Sequence, residues 1–137
     1  MTADSQWVMQ QAIYTALRAD ATLQSLVSNP VRVFDHTPQD SELPYIVIGE
    51  GTASDFDTKD TDGMDQSLTI HTWSDYRGLS ETKQIMGAVV DALDKAALSV
   101  TGHTLALLRF VGSNTLLDPD GLTRHGVQNF RAVTEIV

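Results

Sequence analysis

The chain has 137 residues, of which 42% are hydrophobic and 20% charged, and it contains no cysteine. That length suits a single domain over residues 1–137, and the composition excludes a wholly disordered chain, disulfides and thiolate chemistry. Nine basic against eighteen acidic residues give a net charge of −9 without any Lys or Arg cluster. The basic surface typical of nucleic-acid-binding proteins is therefore missing.

The first predicted elements are two helices. Apolar residues at helical spacing predict the first over residues 5–18: Met9, Ile13, Ala16 and Leu17. Asp4 or Ser5 can cap its start, because a side-chain oxygen there accepts an unpaired backbone N–H. Asp20 is the expected cap of a second, short helix, which ends at Asn29-Pro30 because the residue before proline avoids helical geometry.

Three extended segments follow, at residues 31–35, 45–50 and 67–74. In the last of them, two sets of side chains alternate between opposite faces of a strand: Leu68, Ile70 and Thr72 on one, Thr69, His71 and Trp73 on the other. Residues 51–66 have no apolar period. They are either a mobile loop or two strand extensions with a long hairpin tip.

A second main helix is predicted over residues 80–97, with Ser80 as its N-cap. Two strands follow, at residues 105–111 and 127–136. Between them, Asp118-Pro119-Asp120-Gly121 is a strong turn signal, because proline presets φ and glycine allows a positive φ. A hairpin centred on this turn is therefore expected.

That hairpin would bring Phe110 beside Phe130. The order of elements does not alternate strand and helix, so a doubly wound parallel sheet is excluded. We predict an α+β fold: a mostly antiparallel sheet with the two main helices packed on one face, as a two-layer sandwich. The other face stays partly open unless another chain covers it.

The sequence offers no constellation typical of an enzyme. Four histidines lie isolated along the chain, without the spacing of metal ligands: His36, His71, His103 and His125. We expect each to lie in a turn or on a strand surface, with no catalytic, cofactor-binding or metal-binding residues.

Residues 50–65 form the sharpest local feature. They hold six acidic residues against one lysine, a charge of −5: Glu50, Asp55, Asp57, Asp60, Asp62 and Asp65. The segment Asp60-x-Asp62-Gly63 imitates part of an EF-hand, but Thr58 and Thr69 occupy the first and twelfth ligand positions. Besides a calcium site, the alternatives are a solvated loop and an acidic surface held in place by assembly.

Most large aromatic residues on the strands are expected to pack in the core: Tyr45, Trp73, Phe110 and Phe130. Trp7 lies near a terminus and off the apolar stripe of its helix, so it is a candidate interface residue. Arg109 and Arg131 stand inside otherwise apolar strands. Such a pair of arginines can bind the carboxylates of a partner.

Several strand and turn patterns are informative through their order and spacing: Pro44-Tyr45-Ile46-Val47-Ile48-Gly49, Asp57-Thr58-Lys59, Leu68-Thr69-Ile70-His71-Thr72-Trp73-Ser74, Leu107-Leu108-Arg109-Phe110, Asp118-Pro119-Asp120-Gly121-Leu122-Thr123 and Phe130-Arg131-Ala132. In these patterns, from about Met9 to Ala132, the chain resembles the tail terminator, or tail-completion, proteins of tailed phages and phage-derived gene transfer agents.

The resemblance implies a structural virion protein. Such proteins form a homo-hexameric ring that caps the head-proximal end of the tail tube, meets the head-tail connector (stopper) protein and leaves a channel for DNA. It implies no cofactor and no sequence-specific DNA contact. The acidic residues of segment 50–65 would then face the lumen or the tube and become ordered on assembly.

Two other classes remain open. One is a different neck component, such as a stopper or a tube-like protein; the other is a calcium-binding module or small enzyme. The N-terminus lacks the basic and apolar segments of a signal peptide, and no apolar run approaches the ~20 residues of a spanning helix. We therefore expect the protein in the host bacterial cytoplasm until assembly carries it into a particle.

Overall fold

The computed structural model describes residues 4–136. Three helices lie in this part of the chain: α1 (Ser5–Ala19), α2 (Ala21–Leu26) and α3 (Ser80–Leu93). It also contains five strands: β1 (Val33–Phe34), β2 (Tyr45–Asp55), β3 (Gly63–Ser74), β4 (His103–Leu117) and β5 (Arg124–Ile136).

The strands form one sheet in the order β1-β2-β3-β5-β4. β1 pairs with β2 in parallel, and every other pairing is antiparallel. Helix α3 connects β3 to β4, and β5 returns between those two strands. This arrangement confirms the α+β fold with a mostly antiparallel sheet.

One face of the sheet, here called the covered face, packs against the helices. Its side chains and the apolar stripes of α1 and α3 form the core, which includes Met9, Ile13, Leu17, Leu68, Ile70, Ile85, Val89, Leu93 and Phe130. Phe110 lies directly opposite Phe130, with ring centroids 5.6 Å apart in an edge-to-face arrangement. The predicted pairing of the last two strands is therefore confirmed.

Two of the three predicted helix caps are confirmed. The Asp4 carboxylate accepts hydrogen bonds from the first-turn amides of α1, and Asp20 accepts one from the Leu23 amide in α2. The third prediction was wrong by one residue. Leu79 is the N-cap of α3 and provides no side-chain cap, while Ser80 is the first helical residue.

Helix α3 also ends earlier than predicted, at Leu93 rather than residue 97. Asp94 leaves the helix, and its carboxylate accepts a hydrogen bond from the Phe110 amide at 2.8 Å. The Lys95 amide donates to the Leu108 carbonyl, also at 2.8 Å. Contacts with β4 therefore end the helix where its own sequence would let it continue.

The strands differ from the predicted segments in length. β1 has two residues instead of the five at 31–35, whereas β4 and β5 both extend closer to the turn between them. β2 continues to Asp55 and β3 begins at Gly63. Segment 51–66 is thus the second predicted alternative, two strand extensions with a hairpin tip.

Candidate assembly surfaces

The acidic hairpin, residues 50–65, is ordered by backbone hydrogen bonds. The Phe56 amide donates to the Gly63 carbonyl at 3.0 Å, and within the tip the Thr58 amide donates to the Thr61 carbonyl at 2.8 Å. The Asp57 carboxylate accepts a hydrogen bond from the Gly63 amide at 3.0 Å. These hydrogen bonds define the hairpin; whether it becomes ordered on assembly stays a prediction.

Gly63 is required where the tip joins β3. A Cβ atom at this position would lie 2.7 Å from the Phe56 carbonyl oxygen. Only glycine allows the two strands to approach so closely at the base of the tip.

The carboxylates of the acidic hairpin fall into two groups. Asp65 is half-buried and forms a two-point ion pair with Arg131, at 3.0 Å from Nε to Oδ1 and 2.8 Å from Nη2 to Oδ2. The hydrogen bonds from Arg131 lower the pKa of Asp65. The other five side chains are exposed: Glu50, Asp55, Asp57, Asp60 and Asp62. The outer part of the hairpin is therefore a solvated, strongly negative surface.

Arg109 and Arg131 lie directly opposite each other on β4 and β5. Both have carboxylate partners inside the chain: Arg131 binds Asp65, and the Arg109 Nε lies 3.7 Å from an Asp94 carboxylate oxygen. A partner that bound these arginines would have to share them with these two aspartates.

Trp7 is 52% exposed on α1, as expected for a residue off the apolar stripe. With Tyr14, Phe34 and Ile48 it lines a groove of about 430 Å³ between α1 and the β1–β2 edge of the sheet. Trp7 therefore belongs to an apolar surface that no part of residues 4–136 covers.

The other face of the sheet, here called the open face, carries a cluster of aromatic and histidine side chains. His71 Nδ1 lies 2.7 Å from His125 Nε2, and the Trp73 ring stacks on His125 with centroids 3.7 Å apart. A Glu50 carboxylate oxygen lies 3.5 Å from His71 Nε2. Burial, and then the electrostatic interaction with His71, lower the pKa of His125.

Exposed apolar side chains flank the β4–β5 turn. Asp120 accepts hydrogen bonds from the Leu122 and Thr123 amides, both at 2.8 Å, and Gly121 has a φ of +74°. Three exposed leucines surround this turn: Leu116, Leu117 and Leu122. Apolar side chains exposed together are typical of a surface that contacts another protein.

The comparisons with known proteins agree with this architecture. The family model described as "Tail completion protein gp17" matches residues 11–135. The chain belongs to this family. A relative described as tail completion protein gp17 of Bacillus phage SPP1 is 28% identical over 123 residues, which are 90% of this chain and 89% of the relative.

A solved structure adds a second similarity. This tail completion protein is similar to a chain in the virion of a native gene transfer agent particle, with 27% identity and a TM-score of 0.87. The match covers 98% of this chain and 99% of the other. The chain is thus a structural tail completion protein, a component of a phage or gene transfer agent particle, and not an enzyme.

Two further observations concern other classes of function. Among residues 4–136 no three His, Asp or Glu side chains come together in an arrangement that could hold a metal ion. None of the helices in the same range combines the length and the apolar character needed to cross a membrane.

One cluster of this tail completion protein is not apparent from its sequence. The expectation that the four histidines are isolated is wrong, because His71 and His125 are in contact. The expectation that Trp73 packs in the core is also wrong, because Trp73 lies half-buried on the open face. The predicted alternation of β3 already put His71 and Trp73 on one face; the missing information was the register that sets Trp73 opposite His125.

Proposed function

We propose that six copies of this tail completion protein form a closed ring. The ring caps the head-proximal end of the tail tube, joins it to the head-tail connector protein, and leaves a channel through which DNA passes. The observation that carries this proposal is the match, over 98% of the chain, to a chain of a gene transfer agent virion.

The shape of the subunit supports a ring. Within residues 4–136 no helix packs on the open face, and part of each edge of the sheet has no partner strand. Exposed sheet edges tend to pair with another chain. Identical subunits that join head to tail through a rotation that closes form a ring, which covers every such edge at once.

The charge of the subunit supports passage of DNA without binding. Proteins hold DNA by neutralising its phosphates with Lys and Arg, and this chain carries −9. Six acidic hairpins in one ring would repel one another unless water and counterions screened them. The hairpin therefore faces either the channel or a basic surface of the tube or connector, while the groove at Trp7 faces a neighbouring protein.

A particle reconstruction by electron microscopy tests this function. We expect six copies of the chain at a single level between the tube and the connector. A different symmetry would overturn the ring. A position at the head side of the connector, or repeated along the tube, would instead make the chain a stopper or a tube protein.

A further inference from the structure

The outer edge of β4 is protected along only half of its length. In the first half, the Lys95 amide donates to the Leu108 carbonyl and the Phe110 amide donates to Asp94. In the second half, residues 112–117, no other strand lies on the outer side within residues 4–136. One end of this edge is therefore free to form backbone hydrogen bonds with another chain.

The opposite edge of the sheet is also half protected, but at the other end. β1 pairs only with Ile46 and Val47 of β2. Residues 49–55 of β2 have no strand on their outer side among the described residues, and on their inner side residues 51–55 pair with β3 after a register shift at residues 49–50. From Glu50 onward every residue of β2 is exposed. The sheet thus has two free half-edges at diagonally opposite corners.

Neither half-edge carries a Lys, an Arg or a Pro. Residues 112–117 read Gly-Ser-Asn-Thr-Leu-Leu, and residues 49–55 read Gly-Glu-Gly-Thr-Ala-Ser-Asp. Lys and Pro are common means by which soluble proteins prevent pairing at an exposed edge, and the two acidic residues, Glu50 and Asp55, leave an uncharged stretch at residues 51–54. Two half-edges of six and seven residues on one subunit are therefore available to a partner strand.

We propose that residues 112–117 of one copy pair with residues 49–55 of the next copy, so that the sheets of neighbouring subunits join edge to edge. This inference rests on the proposed ring and specifies its subunit joint. β2 and β4 run in opposite directions within the sheet. When neighbouring subunits repeat around an axis that makes an acute angle with the strands, β4 therefore meets the β2 of the next subunit in antiparallel orientation.

The offset between the two half-edges matches the geometry of a closed sheet. Their centres differ by about five residues along β3, roughly 16 Å at the usual rise per residue, over a repeat of four inter-strand spacings, the joint included, of about 19 Å. Subunits joined in this way have strands inclined by about 40° to the ring axis, within the range of closed barrels. An unstaggered joint would instead place residues 49–55 against the half of β4 that Asp94 and Lys95 already occupy.

Thiol cross-linking tests the joint directly, because the chain has no cysteine of its own. Ala53→Cys and Ser113→Cys place one exposed thiol on each free half-edge, and both residues lie on the same side of the sheet. In particles assembled with this double variant, a short bis-maleimide should give a ladder of cross-linked chains that ends at six. The matched control pairs Ala53→Cys with Ala106→Cys, an exposed alanine on the protected half of β4, and should give no ladder.

The outcomes separate this inference from the proposed function. A six-membered ring with no link between positions 53 and 113, or with a ladder only in the control, overturns the joint and leaves the ring intact. Particles without a six-membered ring overturn the proposed function itself. A link from either cysteine to the tube or connector protein would also overturn the joint.

Introduced charges provide an independent test. Ala53→Lys with Ser113→Lys puts like charges across the joint and should lower the yield of tailed particles about tenfold or more. Ala53→Glu with Ser113→Lys should restore most of that yield. Both positions are exposed, so thermal unfolding of the isolated variants should match the parent. Equal yields for the two variants would overturn the joint.

Discussion

The covered and open faces are built from the same strands but hold together by different means. On the covered face, Ile70 and Phe130 are fully buried with the apolar stripes of α1 and α3. On the open face, β3 and β5 interact through polar pairs such as Asp65 with Arg131 and His71 with His125. Burial of apolar surface is the larger contribution to folding, since exposed polar pairs are also solvated in the unfolded chain.

The residues that stabilise the fold and those available for assembly are therefore different sets in this subunit. The residues that stabilise the chain lie under the helices, whereas the acidic hairpin, the histidine pair and the exposed leucines lie where another protein can reach them. Substitutions on the covered face should therefore unfold the chain, and substitutions elsewhere should change assembly while the subunit stays folded.

The largest effect on the subunit should come from Phe130→Ala. Removing this fully buried ring leaves a cavity, and we expect a loss of about 3–5 kcal/mol of unfolding free energy. Asn129→Ala, its neighbour on the open face, should change that free energy by only about 0.5 kcal/mol. Urea denaturation of both variants measures the difference. Similar losses would contradict the division between the two faces.

Replacing Asp55, Asp57, Asp60 and Asp62 by Asn should leave the fold intact, because an Asn side-chain oxygen can still accept the Gly63 hydrogen bond. Tail joining or DNA delivery should fall, most clearly at low salt, where charges are least screened. Particle titres at two salt concentrations measure this. Asp75→Asn with Asp91→Asn removes exposed charges elsewhere and is the control. Normal titres for the hairpin variant would show that the segment is a solvated hairpin without a role in assembly.

Asp65→Asn should destabilise the chain less than Phe130→Ala does. This destabilisation should be present at neutral pH and absent in acid. Because Arg131 lowers the pKa of Asp65 in the folded chain, the ion pair stabilises it above the ordinary pKa of 3.8. That stabilisation is lost as the pH falls through the lowered value, because the unfolded chain then binds the proton more readily. Melting temperatures of parent and variant should differ at neutral pH and converge in acid; a constant difference would contradict the ion pair.

The smallest effect should be a pH dependence set by His125. Its pKa is lowered in the folded chain, so below the ordinary value of 6.5 the unfolded chain binds more protons and stability decreases with falling pH. His125→Asn should weaken the dependence of the melting temperature on pH between pH 7 and pH 5, whereas Asn129→Gln on the same strand should leave that dependence unchanged. An unchanged pH dependence in His125→Asn would show that the pair does not contribute.

Local signals in the sequence predicted much of the framework. Helical spacing and the Asp4 and Asp20 caps placed the first two helices, because these signals act within one or two turns. The turn at residues 118–121 predicted the hairpin and brought Phe110 near Phe130, but their direct pairing depends on a register shift between Phe110 and Gly112 that the turn alone does not determine. For segment 51–66 the sequence left two alternatives, because strands so poor in apolar residues lack a period.

The sequence alone predicted the class of fold, the alternation of side chains along β3, the acidic segment 50–65 and the resemblance to tail completion proteins. The end of α3, the unprotected halves of β2 and β4 and the contact of His71 with His125 are set only in the folded chain. Each of these depends on contacts between residues far apart in the chain, such as Lys95 with Leu108 and His71 with His125. Periodicity and capping report only on near neighbours, so the partners of an edge or a face appear only when the sheet is assembled.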